Sequence, residues 1–439
     1  MSFRKYIIIV LLIAGGTAAQ AQDTIITLQQ CLNIAVKNNL TVQQDAVSAE
    51  RARIGLVQAK DNLIPTIGGG IDRDYTTGRT VNPVTNTYVN QSVTYDNYDL
   101  QGSVTIFSGL AYQNAIKQAS LAYQSGKMAF QAAKDIVTIN VITSYLEVLD
   151  AQAILDQSKS AFAVAKEGSD RSELLEKEGD NKAASDVYDL RGSLQAANVN
   201  VVTAQNSLNS AMLNLFQVMN IPYNRNAQLQ PLNAEDLQGN KDLKAEDVYN
   251  TALQQLADVK AATLMRQSAE KEVKYYKGLL LPSLAVGYGI QTNYSNSDPA
   301  NYSYQFRNNY GTYVQLGLNI PIFTNHVKKN AISLAKLDLL NDQYVEDNTK
   351  IQLRQNVEQA YYNMISAYNR YQALEDESKA YSESFRISKI RYEAGVLTSV
   401  DYITSKNNMD AANLGLISAR YDYFIYSKVL DYYQGKLSF

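Results

Sequence analysis

From Leu110 to Leu175 the chain contains no proline and, before Gly168, only Gly126 as a helix-weakening residue. Within that run Ile139, Ile142, Leu146, Leu149 and Ala153 recur at steps of three and four, which lines one face of an α-helix. At 1.5 Å per residue a helix of this length reaches on the order of 100 Å. Such a helix needs neighbours along its whole length, as in a coiled coil, and does not fit a compact globule. A kinked pair of ordinary bundle helices is the competing reading.

The pattern returns. Val357, Tyr361, Met364 and Tyr368 carry the same spacing, and a shift of about 216 residues brings many other features together. The stretch "LIPTIGGGI" (63–71) falls on "LLPSLAVGY" (280–288), with Pro65 over Pro282. "IFSG" (106–109) falls on "IFTN" (322–325), Tyr145 on Tyr361, and Gly179 on Gly395. After a one-residue slip "QAANVNVVTAQ" (195–205) matches "DAANLGLISAR" (410–420), and Asp186 lies over Asp401. The expected organisation is a removable segment 1–21, a first repeat 22–220, a linker 221–241 with Pro222 and Pro231, and a second repeat 242–439. Each repeat reads as a helical stretch (27–62, 245–280), a proline stop, a strand, a polar loop, a second strand, the long helix, a glycine turn and a returning helix.

The strands are few and two-faced. Tyr98, Leu100, Val104 and Ile106 alternate with Asp99, Gln101, Ser103 and Thr105. Val314, Leu316, Leu318 and Ile320 alternate with Gln315, Gly317 and Asn319, and Leu284 to Ile290 and Ile67 to Ile71 follow suit. A half-buried sheet in a water-soluble domain gives this alternation. So does a barrel with lipid outside and water inside. The segments 72–97 and 291–310, rich in Tyr, Asn, Ser and Thr, read as long loops of the kind found on the outer side of an exported barrel. On that reading Leu100, Val104, Ile106, Leu316 and Leu318 face lipid. Four strands cannot close a wall, and open edges are not tolerated in lipid, so chains must associate. Two copies would make a barrel filled by its own side chains, whereas three would leave an aqueous lumen.

The N-terminus supports export. "MSFRKYIIIVLLIAGGTAAQAQ" carries Arg4 and Lys5, a short apolar run and Ala19-Gln20-Ala21, the order of a cleavable signal peptide rather than an anchor. With 40 Lys+Arg against 43 Asp+Glu, the charge balance gives no case for nucleic acid. Cys31 is the single cysteine and lies on the face Leu28, Cys31, Leu32, Ala35 of a helix opened by a Thr27–Gln30 capping box. His326 is the single histidine, without cysteine or carboxylate partners, so neither a metal centre nor a cofactor site nor an enzyme is expected.

The duplicated strand–strand–long helix–turn–helix plan, the helix–proline–strand entries and the turn "RYEAGVLTSVDYITSKNNM" (391–409) together resemble the TolC family of outer membrane efflux proteins, the outer membrane factors. The resemblance implies a mainly α fold with a small β part: a coiled-coil helical barrel plus a transmembrane β-barrel of four strands per chain, in a homotrimer. It implies a passive exit duct for tripartite efflux or type I secretion, in the outer membrane of a Gram-negative cell with a large periplasmic part. Its partners would be outer membrane lipid, a periplasmic adaptor (membrane fusion protein) and, through it, an inner-membrane pump. The matching gate positions are Asp186, Tyr392 and Asp401, while Leu397 and Thr404 depart from the family's Arg and Asp. Gly179, Gly395 and Leu397 would form adaptor-facing tips, although a glycine there also simply permits a tight reversal. An exported coiled-coil scaffold or adhesin with a soluble sheet is the alternative.

Overall fold

The computed structural model describes residues 25–82, 85–178, 184–232 and 244–436, so the expected signal peptide 1–21 and Gly179 lie outside the described residues. Along the first part of the chain run β1 (Ile25–Ile26), α1 (Leu28–Asn38), α2 (Leu40–Asp61), β2 (Thr66–Thr76), β3 (Arg79–Val81), β4 (Tyr88–Asn90), β5 (Val93–Ser108), α3 (Ala111–Lys177) and α4 (Ala184–Val218). There follow β6 (Gln228–Leu229), α5 (Ala245–Gln255), α6 (Ala257–Gly278), β7 (Ser283–Ser295), α7 (Tyr302–Asn308), β8 (Gly311–Asn319), α8 (Val327–Glu393) and α9 (Ser399–Tyr433). Helices α3 and α8 are each 67 residues long, and α4 and α9 each 35. The fold is mainly helical with a small sheet, as the pattern requires.

Thr27 caps α1 as its sequence indicates. Its hydroxyl accepts from the Gln30 amide at 3.2 Å, and its own amide donates to Gln30 Oε1 at 3.0 Å. Leu28, Cys31, Leu32 and Ala35 are buried. The helical stretches read as 27–62 and 245–280 are each broken once. Asn39 takes an extended conformation, and its side chain accepts from the Val42 amide at 3.1 Å, so it ends α1 and starts α2. Leu256 breaks the second stretch in the same extended region, without a side-chain cap.

Two compact units are distinguished. One gathers Met1–Gln43, Lys134–Ala252 and Gln355–Phe439. Its core includes Val141, Ile142, Tyr145, Leu215 and Met219. The buried Tyr145 hydroxyl donates to the Gln230 carbonyl at 2.6 Å, tying α3 to the short parallel pair β1–β6. Asp150 is the discordant group of this unit: its Oδ1 is buried without a hydrogen-bond partner. Burial, then the Asp422 and Glu147 charges, push its carboxyl up to about 6. The folded protein therefore holds this proton more tightly than the unfolded chain does. The stability associated with it is full below pH about 4 and is lost as pH rises through about 6. Asp150→Asn should raise stability at pH 7.5 by about 1–2 kcal/mol, the full shift being reduced by solvent access, and should change little at pH 4. Thermal melts at the two pH values check this, and equal shifts at both would exclude Asp150 as the source.

The second unit gathers Gln44–Ala133 and Leu253–Arg354. Here α3 rests on α6: Ser125 Oγ donates to the Ala261 carbonyl at 2.8 Å and Ser268 Oγ to the Gln118 carbonyl at 3.0 Å. Arg266 of α6 and Lys350 of α8 both bond the carboxylate of Glu346, at 2.5 and 2.6 Å. One antiparallel sheet in the order β2-β5-β7-β8 completes the unit.

The strands are longer than their alternation shows. β5 has 16 residues rather than the nine of Tyr98–Ile106, and β2 extends to Thr76. The segment read as one long loop, 72–97, is therefore largely strand, topped by the β3–β4 hairpin. The other, 291–310, contains the end of β7 and α7. Polar composition concealed these strands because both of their faces carry Asp, Asn, Tyr and Thr. No helix among the described residues is long and apolar enough to cross a membrane.

Candidate functional site

Directly opposed residues of antiparallel strands share a face, so the register defines the sheet's two surfaces. One row joins Val104, Val286 and Leu316. The next joins Ile67, Gly102, Tyr288 and Val314, and the next Gly69, Leu100 and Ile290. In the other direction lies Leu284 opposite Leu318. Between Thr105 and Phe107 the register slips by one residue. Ile106 and Phe107 thus together oppose Leu284, and the bulge prevents Phe107 from falling onto the polar face. That polar face carries Gln101 opposite Gly68 and Gly289, and Asp99 opposite Gly70 and Gln291. A Cβ on Gly102 or Gly289 would strike the ring of Tyr288 or Tyr313, so both glycines make room for a cross-strand tyrosine.

Aromatic residues close the apolar surface at one end. Tyr98 meets Tyr302 and Phe306 of α7 edge-on, at centroid distances of 6.4 and 5.4 Å. Gln305 holds α7 down, accepting from the Ser295 amide at 2.8 Å and donating to the Ser295 carbonyl at 3.0 Å. Beyond this cluster Arg73 forms a fork with the buried Asp96 carboxylate at 2.6 and 2.7 Å. Of the residues expected to face lipid, Leu100, Ile106, Leu316 and Leu318 are exposed and Val104 is half-buried.

The helical turn lies in the other unit. Gly395 has φ +74 and ends α8: its amide bonds the Tyr392 carbonyl, while the Val396 amide bonds that of Arg391, both at 3.0 Å. Thr398 then caps α9 by accepting from the Asp401 amide at 3.1 Å, and donates to the Asp401 carboxylate at 2.8 Å. Tyr392 stacks on Tyr402 with centroids 4.7 Å apart and ring planes at 23°. Tyr402 is 4% exposed and joins Leu190 and Phe385 in a core cluster, against which Leu397 packs. The apolar side chains left exposed at the turn are Val396 and Val400.

Asp186 stands in the first turn of α4, close enough to Tyr392 to act on its hydroxyl. Burial first, then the Asp186 charge, raise the Tyr392 pKa, against the opposing pull of Arg171. Asp186 thus lies within electrostatic reach of Tyr392, whereas Asp401 is engaged at the helix cap by Thr398. Sequence reasoning missed the charges that fasten this region. Lys389 of α8 pairs with Glu167 of α3 at 3.2 Å, and Glu393, one turn on, pairs with Arg171 at 3.5 Å. Both α3 partners are also one turn apart, so two rungs join the helices.

The model of the outer membrane efflux protein family matches residues 248–434. TolC of Escherichia coli (strain K12) is 22% identical over 417 residues, 93% of this chain and 81% of that protein. TolC of Salmonella enteritidis is 22% identical, over 96% of this chain and 84% of that protein. The family model thus matches the second half of the chain, and the chain is similar to TolC over nearly its whole length. Solved structures of similar fold include the Campylobacter jejuni CmeC outer membrane channel, with a TM-score of 0.77 at 16% identity, covering 96% of this chain and 91% of that one. The open state of the Neisseria gonorrhoeae MtrE outer membrane channel gives 0.75 at 17% identity, covering 94% and 89%. These efflux-family relatives are channels, not enzymes.

Proposed function

We propose that this chain is the outer membrane exit duct of a tripartite efflux or type I secretion system, a passive homotrimeric conduit through periplasm and outer membrane. The observation that carries this reading is the sheet: four strands, one continuous apolar face, one polar face and two open edges. In lipid such edges must be paired, and three copies supply enough strands for a barrel with a watery lumen. Leu100, Val104, Ile106, Leu316 and Leu318 then face lipid, and Gln101, Ser103 and Gln315 face water. Tyr98, Tyr302 and Phe306 fit the interfacial belt of such a barrel.

The chain is two copies of one plan, 22–220 and 242–439, joined by 221–241, and the equal lengths of α3 and α8 and of α4 and α9 support this. Asp186 and Tyr392, with Arg171 and Glu393, hold the periplasmic constriction, and Asp401 supports it by capping α9. The turn at Gly395, with Leu397 packed beneath and Val396 and Val400 outside, faces the periplasmic adaptor, which links the duct to an inner-membrane pump. The pump supplies energy and most of the selection among cargoes.

Outer membranes washed in high salt should retain the protein until detergent is added. Release into buffer would overturn the duct. In planar bilayers Asp186→Asn should alter single-channel conductance, and identical currents would remove Asp186 from the constriction.

A further inference from the structure

The apolar face of the sheet is not filled evenly. Leu100 and Ile290 stand opposite each other, but the third residue of their row is Gly69, and Ile71 next on this face shares its row with Tyr98 and Thr292. The missing side chain leaves a groove of about 550 Å³ between Ile71, Leu100 and Ile290, closed at its end by Tyr98, Phe306 and Tyr310. Helix α7 is fastened there, since Thr292 Oγ1 donates to the Phe306 carbonyl at 2.7 Å. The strand itself does not require Gly69: a Cβ would meet the Asp99 carbonyl oxygen at 3.4 Å and Leu100 Cδ1 at 3.7 Å, which are ordinary contacts. Space, rather than backbone geometry, is what this glycine supplies.

Charge is divided between the two faces at this end. Asp72, Asp74 and Asp99 belong to the polar face, whereas Arg73 and Asp96 share a row of the apolar one. Arg73 sits one row beyond Ile71, about 7 Å along the strand. Its side chain is 69% exposed and that of Asp96 only 1%, so the pair hides its anion and presents its cation. The fork uses two of the five N–H groups of a guanidinium, which leaves the others for a second anion. Arg307, exposed beside Phe306 on α7, adds another positive charge. An apolar trough that ends at a fixed guanidinium is complementary to an acyl chain that ends in a phosphate.

We propose that the Gly69 groove binds an acyl chain of a phosphate-bearing lipid of the outer leaflet, with Arg73 on the phosphate. The leaflet follows from the strand connections. The far ends of β5 and β8 lead into α3 and α8, which the duct reading places in the periplasm, so the Arg73 end is the outer one. Asp96 is a positioning residue, because it fixes the guanidinium before a lipid arrives. Tyr98 and Tyr302, whose hydroxyls are joined at 2.8 Å, stand where the acyl region gives way to headgroups. Each chain carries this groove once, so a trimer takes three such lipids.

This site rests on the duct reading, and the test separates the two. Detergent-purified protein, stripped of native lipid, is titrated with bisphosphorylated lipid A and with fully dephosphorylated lipid A, and native mass spectrometry counts the lipids on each trimer. Wild type should take up to three lipid A molecules, and dephosphorylation should weaken binding at least about tenfold, the scale of one charge-assisted pair. Gly69→Phe fills the groove, and Arg73→Gln with Asp96→Asn removes the fork without leaving a buried carboxylate unpaired. Each should weaken lipid A binding comparably. Inorganic phosphate in large excess should leave lipid A bound, because it lacks the chain. Equal binding of the two lipids by wild type overturns phosphate recognition, and this comparison decides even where a variant fails to assemble. Wild-type affinity in Gly69→Phe overturns the groove, and displacement by inorganic phosphate overturns the part given to the chain. In all three cases the trimer stands, and with it the duct, whereas a wild type that is monomeric in detergent overturns both.

Discussion

Val104→Arg should reduce the trimer found in outer membranes severely, with the protein accumulating unassembled. Val104 shares its row with Val286 and Leu316, one row from the Gly102–Tyr288–Val314 row at the middle of the apolar band. An arginine on the lipid face costs about 2–4 kcal/mol at the bilayer midplane and about 0–1 kcal/mol near the interfaces. One row from the middle places Val104 toward the upper part of that range, and in a ring of identical copies the cost is repeated in each. Heat-modifiable trimer in membrane fractions is the measurement. Thr105→Arg, on the polar face, should assemble normally. Equal trimer from Val104→Arg and wild type would mean that this side chain does not meet lipid.

Tyr402→Ala should leave the trimer intact but open its tip. Tyr402 lies between the stacked Tyr392 ring and Phe385, whose centroid is 5.5 Å away, and Leu190 completes the cluster. Removing a buried aromatic ring costs about 3–5 kcal/mol, and here the loss falls on the turn that joins α8 to α9. The two charge rungs, Glu167–Lys389 and Arg171–Glu393, are solvent-exposed and together supply no more than about 2 kcal/mol. They cannot replace the lost packing. The expected readout in planar bilayers is a higher conductance with less frequent closure. Tyr402→Phe keeps the ring and should match wild type. An alanine variant with wild-type currents would show that this cluster does not hold the constriction.

Much of the helical fold was legible because its determinants lie within one element. The Leu110–Leu175 run anticipates α3 at Ala111–Lys177 closely. The Thr27–Gln30 box and the face Leu28, Cys31, Leu32, Ala35 read correctly, since a cap and an amphipathic stripe need only neighbours a turn away. The breaks at Asn39 and Leu256 were missed. Each is a single extended residue, and nothing in the periodicity on either side marks it.

The candidate site was legible only in part, for a related reason. Asp186 and Tyr392 were named, but Arg171, Glu167, Lys389 and Glu393 were not. Ordinary exposed charges on separate helices acquire a role only when those helices are laid side by side. The bulge at Ile106 likewise depends on the register against Leu284, a strand far along the chain.

By itself the sequence determined which segments are long helices, which are two-faced strands, and that four such strands cannot stand alone in lipid. Those properties follow from periods of 3.6 and 2 along the chain and from the need to satisfy backbone hydrogen bonds. Only the tertiary structure decided the strand order, the bulge, the true strand lengths and the charge pairs at the tip. These depend on which distant segments meet, and side-chain periodicity carries no record of that.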